Sequence, residues 1–432
     1  MAGVTRRAFF RSAVAGAGGA LGAAPYALAG DQDRLLDDLS HRAFLYFWEQ
    51  ADPQTGLVLD RAAVDGSQRT PRSLDVASMA STGFALAACC IAGQRGWVDP
   101  NAARERVRTT LRYLTSNQAH QFGWYYHFVN RKTGARVWNC ELSTIDTALL
   151  VAGAVTAQQC FRNDAEIFQM ARDLYERVDF DWMLDSHSGF LRMAWKPETG
   201  FLLPAWVDYR ENVILHMLAL GSPTHPIPAG TWFRFRRDPI IFQNYAWVGR
   251  GPIFTHQFPQ AYLDFSNLRD GLPYGINYFH NSVIATYAHR SYCQSLRSLF
   301  PAYSNDLWGV TPSDSSIGYL TWGGWDDIRP RRDWDGTIAP CASAGSLMFA
   351  PEICLPALRA MHNDFGELAY GRYGFADAFN PASGWVDPEV LGIDLGITLL
   401  SAENLRSRQV WKWFMRSPDI QRAVSRVFQP NA

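Results

Sequence analysis

Two acidic residues occur where an aliphatic run begins in the stretch RVWNCELSTIDTALL: they are Glu141 and Asp146. A second such place is WVDYRENVILHMLALG, where Asp208 and Glu211 precede an apolar run. Pairs of carboxyl groups suit the cleavage of a glycosidic bond, because one can protonate the leaving oxygen while the other activates water or attacks the anomeric carbon. The residue types therefore favour acid–base chemistry, with Glu141, Asp146 and Glu211 as candidate catalytic residues.

The same acids also have a purely structural interpretation. Ser143 and Asp146 have the spacing of a helix capping box, and Asp208 and Glu211 repeat that spacing before the second apolar run. In that interpretation the carboxylates only satisfy backbone N–H groups and the helix dipole. The residues alone leave both interpretations open.

Aromatic residues and histidines flank both places. Flat apolar rings with a polar edge suit sugar faces, although the same rings are also good core residues. We predict that the following residues bind substrate: Trp124, Tyr126, His127, Trp138, Trp206, Tyr209, Trp247, His256, Trp325, Asp335 and Asp394. Asp335 precedes a glycine and is equally compatible with a turn. For Asp377 we favour a structural ion pair with Arg372.

The elements that must position these residues are helices. Charged amphipathic stretches, such as NAARERVRTTLRYLTSN, alternate with apolar stretches poor in charge, such as SMASTGFALAACCIAG and GIDLGITLLSAEN. Continuous strand patterns are rare. This alternation predicts an all-α fold, an (α/α)6 toroid with buried inner helices and amphipathic outer ones. An irregular α-solenoid is the alternative, but no fixed sequence period supports it.

In such a toroid the inner helices run in one direction, so the acids at their N-termini would gather at one rim. No linker composition interrupts the chain, and we predict a single domain over residues 30–432.

Residues 1–29 have the composition of an export signal. Paired Arg6 and Arg7 precede a weakly hydrophobic Ala/Gly segment, and Ala27 and Ala29 fit a small-residue cleavage site. We therefore expect recognition by the twin-arginine export machinery and a periplasmic or secreted location, without stable membrane insertion after processing. A disordered basic N-terminus is the alternative.

Composition and net charge limit the kinds of partner and cofactor that we expect the protein to bind. The 432 residues have a formal net charge of -1, which gives no general attraction to nucleic acid. The seven cysteines are an odd number, most lie in apolar runs, and none forms a CxxC, so we expect buried free thiols. No zinc or calcium motif is present, and we expect neither a metal nor another cofactor. We expect a monomer.

Several motifs in order resemble the glycoamylase-like family, which contains the endo-β-1,2-glucanases of glycoside hydrolase family 144 and sophorose-releasing relatives. They are ELSTIDTALL, GSPTHP, DGTIAPCASAGSLMFAPE, GRYGFADAFN and LGIDLGITLLSAENLRSRQVWKWFM, within residues 35–428. The resemblance implies an (α/α)6 fold and metal-free hydrolysis of β-1,2-linked glucose polymers in a periplasmic or secreted setting.

By position, the resemblance makes Glu211 the general acid, and it gives Asp146, with Glu141 close by, the role of activating or positioning water. The chain departs from the family pattern at Arg210 and Asn212, which flank the acid. A transglycosylase on the same fold, a polysaccharide lyase acting on an acidic sugar, and a non-catalytic glucan-binding protein are the alternatives.

Overall fold

A computed structural model describes residues 31–67, 74–324 and 333–430. Helices dominate these residues. In chain order they are α1 Asp31–Glu49, α2 Met79–Arg95, α3 Pro100–Ser116, α4 Thr144–Cys160, α5 Ala165–Glu176, α6 Phe180–Met183, α7 Asn212–Gly221, α8 Phe254–Tyr262, α9 Tyr278–Ser295, α10 Pro340–Ala344, α11 Pro351–Ala369, α12 Gly392–Ser407, α13 Gln409–Phe414 and α14 Pro418–Val427, with a short 3-10 helix at Ala229–Phe233.

The helices differ in burial as their compositions predict. Helices α2, α4 and α7 are buried along almost their whole length, because small and aliphatic residues occupy every face. Helix α3 instead buries a single stripe that includes Val107, Leu111 and Leu114. Its other face carries arginines such as Arg108, which bridges Glu105 and Asp164. The predicted contrast between buried and amphipathic helices is therefore confirmed.

The buried helices follow one another in space. Helix α2 contacts α4, α4 contacts α7, α7 contacts α8, α8 contacts α12, and α12 returns to α2. The Gln257 amide of α8 donates to the carbonyl of Ala342 in α10 at 2.8 Å, and α10 also packs on α12. The other long helices lie against this set: α1 and α3 on α2, α5 on α4, α14 on α7 and α9 on α8, while α11 packs on α10 and α1.

Helices α2 and α4 approach especially closely, through two glycines. A Cβ atom built on Gly153 would lie 2.0 Å from the carbonyl oxygen of Gly83, and one built on Gly83 would lie 2.4 Å from that of Leu149. Any side chain would force the two backbones apart. These glycines therefore set the position of α4, which begins beside Asp146.

Short strands connect the helices, so the expectation of an all-α chain was incomplete. They are β1 Arg61–Ala63, β2 Val76–Ser78, β3 His120–Gln121, β4 Trp124–Tyr125, β5 Phe128–Asn130, β6 Leu142–Ser143, β7 Ala194–Lys196, β8 Gly200–Phe201, β9 Pro239–Phe242, β10 Tyr245–Val248, β11 Leu268–Asp270, β12 Tyr370–Gly371, β13 Gly374–Phe375, β14 Phe379–Asn380, β15 Trp385–Val386, β16 Glu389–Leu391 and β17 Phe428–Pro430. Each has two to four residues, too few to show an alternating pattern.

All the strand pairs are antiparallel, and several lead directly into buried helices. Strand β2 pairs with β5 and precedes α2, while β6 pairs with β7 and precedes α4. Strand β1 pairs with β16, which precedes α12, so that Arg61 lies opposite Leu391. Segments 330 residues apart are thereby joined beside the candidate site described below.

The cysteines have the predicted environment. Six are buried and Cys160 is partly buried, all as free thiols. No helix of the described segments is long and apolar enough to cross a membrane. The predicted export signal lies outside the described residues.

Candidate functional site

Asp146 occupies the first turn of α4 and serves as part of the helix cap. The backbone N–H of Asp146 donates to Ser143 Oγ at 3.3 Å, and the Ser143 hydroxyl donates to Asp146 Oδ2 at 2.5 Å. The predicted cap is therefore confirmed for Ser143, whereas the Asp146 carboxyl group accepts the Ser143 hydroxyl instead of a backbone N–H. The other carboxyl oxygen, Asp146 Oδ1, faces His127 Nε2 at 3.4 Å.

His127 links the two acids of this segment. Its Nδ1 lies 3.0 Å from Glu141 Oε1, on the side of the ring opposite Asp146. Burial lowers the pKa of His127, but the charges of Asp146, Glu141 and Asp60 outweigh burial and raise the pKa to about 9. The hydrogen bond from His127 in turn lowers the pKa of Glu141 to about 2. The two ring nitrogens of His127 thus face carboxyl groups on opposite sides, which favours the imidazolium.

Glu211 stands at the start of α7 but does not cap it. It makes no side-chain hydrogen bond to the helix, and its Oε2 is buried without a hydrogen-bond partner among the described residues. Burial raises the pKa of Glu211 to about 7; nearby Arg210 lowers it, and the charge of Asp146 raises it. A carboxyl group with this pKa is substantially protonated near neutrality and can act as an acid.

The second capping prediction is therefore wrong. Asp208 points to Arg236 instead, which donates to its two oxygens at 2.7 and 2.9 Å. Because the Glu211 carboxyl group makes no cap hydrogen bond, helix capping does not explain why a glutamate stands at this position.

Sequence reasoning missed a fourth acid, Asp60. It lies just before β1, where its carboxylate approaches Arg61 Nε at 3.5 Å. Burial raises the pKa of Asp60 and the charge of Asp146 adds to this, while the charge of Asp60 contributes to the raised pKa of His127. No periodic pattern or cap signal marks this position, because it precedes a strand of only three residues.

Asp394 belongs to a neighbouring acid pair with Asp377. Burial and the proximity of the two carboxyl groups raise the pKa of Asp377, and Asp377 accepts the Asp314 N–H at 2.7 Å. The pair borders a cavity of about 20 Å³, room for one water. The predicted Asp377–Arg372 pair is wrong, since Arg372 donates to Glu49 Oε2 at 2.6 Å.

Five of the predicted sugar-binding residues are buried instead. Their exposed fractions are Trp124 0%, Trp206 4%, Tyr209 1%, Trp247 2% and His256 1%. Each has internal partners: Trp124 donates to the Asp179 carbonyl at 2.9 Å, and Tyr209 stacks on Tyr278 at 5.0 Å. Rings packed in this way offer no free face to a sugar, so we correct these assignments to structural roles. Aromatic-rich sequence cannot separate the core from a cleft wall.

One of these rings supports the acid site. The Trp206 indole donates to Thr144 Oγ1 at 3.0 Å, and that hydroxyl also donates to the Met193 carbonyl at 2.8 Å. Thr144 is the first residue of α4, two positions before Asp146. Trp206 thus helps to fix the helix start.

The remaining predicted residues lie in different settings. Trp138 is 64% exposed, and its ring meets Phe128 edge-on at 5.2 Å. Tyr126 is partly buried beneath the Arg136 guanidinium at 4.8 Å. Asp335 accepts the Thr337 N–H at 3.0 Å, so the turn interpretation is confirmed. Trp325 lies outside the described residues.

A group that could hold a metal ion is formed by Asp314, Asp387 and Glu389, all buried. Burial and the charges of Asp314 and Glu389 raise the pKa of Asp387 to about 7. Arg61 Nη1 already bridges Asp314 and Glu389, at 2.6 and 3.1 Å. A cation is therefore present at this group without a metal.

Comparison with known proteins relates the chain to a family model, to a relative in sequence and to solved structures. Residues 204–418 match the family model described as Glycoamylase. The exo β-1,2-glucooligosaccharide sophorohydrolase (non-reducing end) of Parabacteroides distasonis is 25% identical over 447 aligned residues, or 91% of this chain. The chain spans 58% of the length of that relative.

Among solved structures, the endo-β-1,2-glucanase from Chitinophaga pinensis, in complex with sophorotriose and glucose, has a TM-score of 0.84. It is 26% identical, and the match covers 93% of this chain and 99% of that one. A β-1,2-glucanase from Parabacteroides distasonis has a TM-score of 0.83 over 92% of this chain and 60% of that one; at 23% identity it bears on the fold alone.

In sequence and fold the chain is similar to proteins that are named as hydrolases of β-1,2-glucans and their oligosaccharides. The resemblance to the glycoamylase-like family, expected from the motifs, is confirmed.

Proposed function

We propose that this chain hydrolyses β-1,2-linked glucans, with Glu211 as the general acid and Asp146 as the group that activates or positions water. The observation that supports this most is that Glu211 stands at the start of α7 with no cap hydrogen bond and a buried Oε2, where burial raises its pKa to about 7. The substrate class is supported by the relatives, which are named for action on β-1,2-glucans and their oligosaccharides.

In the proposed reaction the Glu211 carboxyl group donates its proton to the glycosidic oxygen as the bond from that oxygen to the anomeric carbon breaks. Water adds to the anomeric carbon and gives a proton to Asp146, directly or through a second water. The products are a new reducing end and a shortened chain. Glu141 takes part through His127, whose ring lies between Glu141 and Asp146.

We further propose that the helices form an (α/α)6 toroid, a single catalytic domain over residues 30–432. The order of contacts α2–α4–α7–α8–α12–α2, with α10 beside α8 and α12, supports it. The starts of α4, α7 and α12, which carry Asp146, Glu211 and Asp394, would then face one rim. The composition of residues 1–29 supports twin-arginine export to the periplasm or the medium.

The proposal is tested with Glu211→Gln, which keeps the size of the side chain and removes the transferable proton. We expect turnover of β-1,2-glucan to fall by roughly 10²–10⁴-fold, the usual contribution of a general acid. The measurement is the release of new reducing ends with sizing of the products, which also separates hydrolysis from chain transfer.

The matched control is Glu105→Gln on the outer face of α3, where the side chain is exposed and pairs with Arg108. This variant should keep wild-type activity. If Glu211→Gln retains most activity on β-1,2-glucan, Glu211 is not the acid. If the wild-type protein releases no reducing ends from any β-1,2-glucan, the proposed substrate is wrong.

A further inference from the structure

His127 faces three acids from two parts of the chain. Glu141 lies in the loop before β6, Asp146 in the first turn of α4, and Asp60 just before β1. The main chain holds the histidine in place, since its N–H donates to the Glu141 carbonyl at 2.9 Å. Phe128 covers one face of the ring at a centroid distance of 3.7 Å.

This arrangement restricts the protonation state of the ring. A neutral imidazole has one N–H donor and one lone pair, so one of its nitrogens would face a carboxylate oxygen with a lone pair. The imidazolium has a donor on each side and matches both Glu141 and Asp146. The geometry therefore favours a cation at His127.

A positive charge at His127 bears on how the two candidate catalytic acids divide their roles. Burial raises the pKa of Glu211, and the charge of Asp146 raises it further; burial and the charge of Asp146 also raise the pKa of Asp60. For acid–base hydrolysis, one carboxyl group must keep its proton while the other loses it. A positive charge beside one member of the pair sorts the two roles.

We propose that His127 is a positioning residue that remains an imidazolium through the catalytic cycle, orienting the Asp146 carboxyl group while Glu211 stays the proton donor. Glu141 anchors the far side of the ring and keeps Nε2 directed at Asp146. The inference rests on the proposed function and adds to it the device that separates the two acids.

The first test measures the ring directly and needs no substrate. With ¹⁵N-labelled histidine, the His127 ring nitrogens should titrate near pH 9, and Glu141→Gln should bring that titration down toward the ordinary value of about 6.5. His120 in β3 is the internal control, because burial and Arg177 lower its pKa and no acid contacts it in this way. A neutral His127 at pH 7 in the wild-type protein would overturn the inference, whatever the enzyme does to glucan.

The second test is the pH profile of His127→Gln. Loss of the positive charge disfavours the ionised form of nearby acids, so the acidic limb of kcat/KM should move to higher pH. The alkaline limb, set by Glu211, should stay in place, and kcat should fall at least about tenfold at neutral pH. His127→Lys, which restores a positive charge, should return the acidic limb toward its wild-type position, whereas His120→Gln should leave the profile unchanged.

The outcomes separate this inference from the function on which it rests. A raised KM with both limbs unmoved would make His127 an ordinary substrate contact and overturn the positioning role. Full activity in Asp146→Asn would instead contradict the catalytic assignment of Asp146. If His127→Gln fails to fold, the titration of the wild-type ring still decides the question.

Discussion

At the scale of single residues, the two oxygens of the Asp146 carboxyl group have different partners. Ser143 binds Oδ2, and Oδ1 is directed at His127. The serine therefore both caps α4 and fixes the rotation of the candidate catalytic group. An acid at a helix start need not be assigned to structure or function alone.

Ser143→Ala should consequently reduce activity as well as stability. Loss of the cap should lower the free energy of unfolding by about 1 kcal/mol, and the freed carboxylate should lower kcat several-fold with little change in KM. Ser78→Ala is the matched control, because Ser78 caps the neighbouring buried helix α2 by accepting the Ser81 N–H at 3.3 Å. Equal losses of activity in the two variants would mean that Ser143 acts only through stability.

The sequence predicted Asp146 and Glu211 because a helix start has a visible pattern, an acid before an aliphatic run. It could not predict Asp60, whose proximity to His127 depends on the packing of a short strand against a distant one. Nor could it separate exposed Trp138 from buried Trp124, since both stand in similar aromatic surroundings and only tertiary contacts differ.

At the scale of elements, the close approach of α2 and α4 positions the segment that begins with Asp146. A Cβ at Gly153 would meet the Gly83 carbonyl at 2.0 Å, and backbone cannot yield as a flexible side chain would. The two helices can approach this closely only because Gly83 and Gly153 have no side chains.

Gly153→Ala should therefore lower the free energy of unfolding by about 2–3 kcal/mol, through overpacking. Gly366→Ala in α11 is the control, because its nearest neighbour would lie at 3.8 Å and alanine is the better helix former by about 1 kcal/mol. Denaturant unfolding of both variants measures the difference. Equal stabilities would show that the helices can separate at no cost.

The alternation of buried and amphipathic helices was predictable, because composition reports how many faces of a helix are covered. The strands were not, because two to four residues are too short for a period of two to appear. They matter nevertheless, since β6 and β16 lead into the helices that carry Asp146 and Asp394.

At the scale of the whole molecule, burial of the Glu211 carboxyl group makes the free energy of unfolding depend on pH. The pKa of Glu211 is about 7 in the folded protein against 4.5 for an ordinary glutamate, because burial penalises its ionised form. A raised pKa contributes stability below about pH 4.5, and that contribution is lost as the pH rises through 7.

Glu211→Gln should accordingly be more stable than the wild type above pH 7, by on the order of 1–2 kcal/mol, and similar to it at pH 5. Denaturant unfolding at pH 5, 7 and 8.5 measures the difference, with the exposed Glu105→Gln as a variant that should show little pH dependence. A Glu211→Gln protein that is less stable at pH 8.5 would show that the carboxylate has stabilising partners.

The pairing of β1 with β16 has a consequence for the gene as well as for the protein. Asp60 and Asp394, which are 334 residues apart in the chain, adjoin the same end of the β1–β16 pair, and the other acids come from the stretch between them. A truncation, insertion or recombination event that exchanged only one half would leave each product with an incomplete set of carboxyl groups. The complete set of carboxyl groups is therefore inherited only when the whole stretch from Asp60 to Asp394 is inherited together.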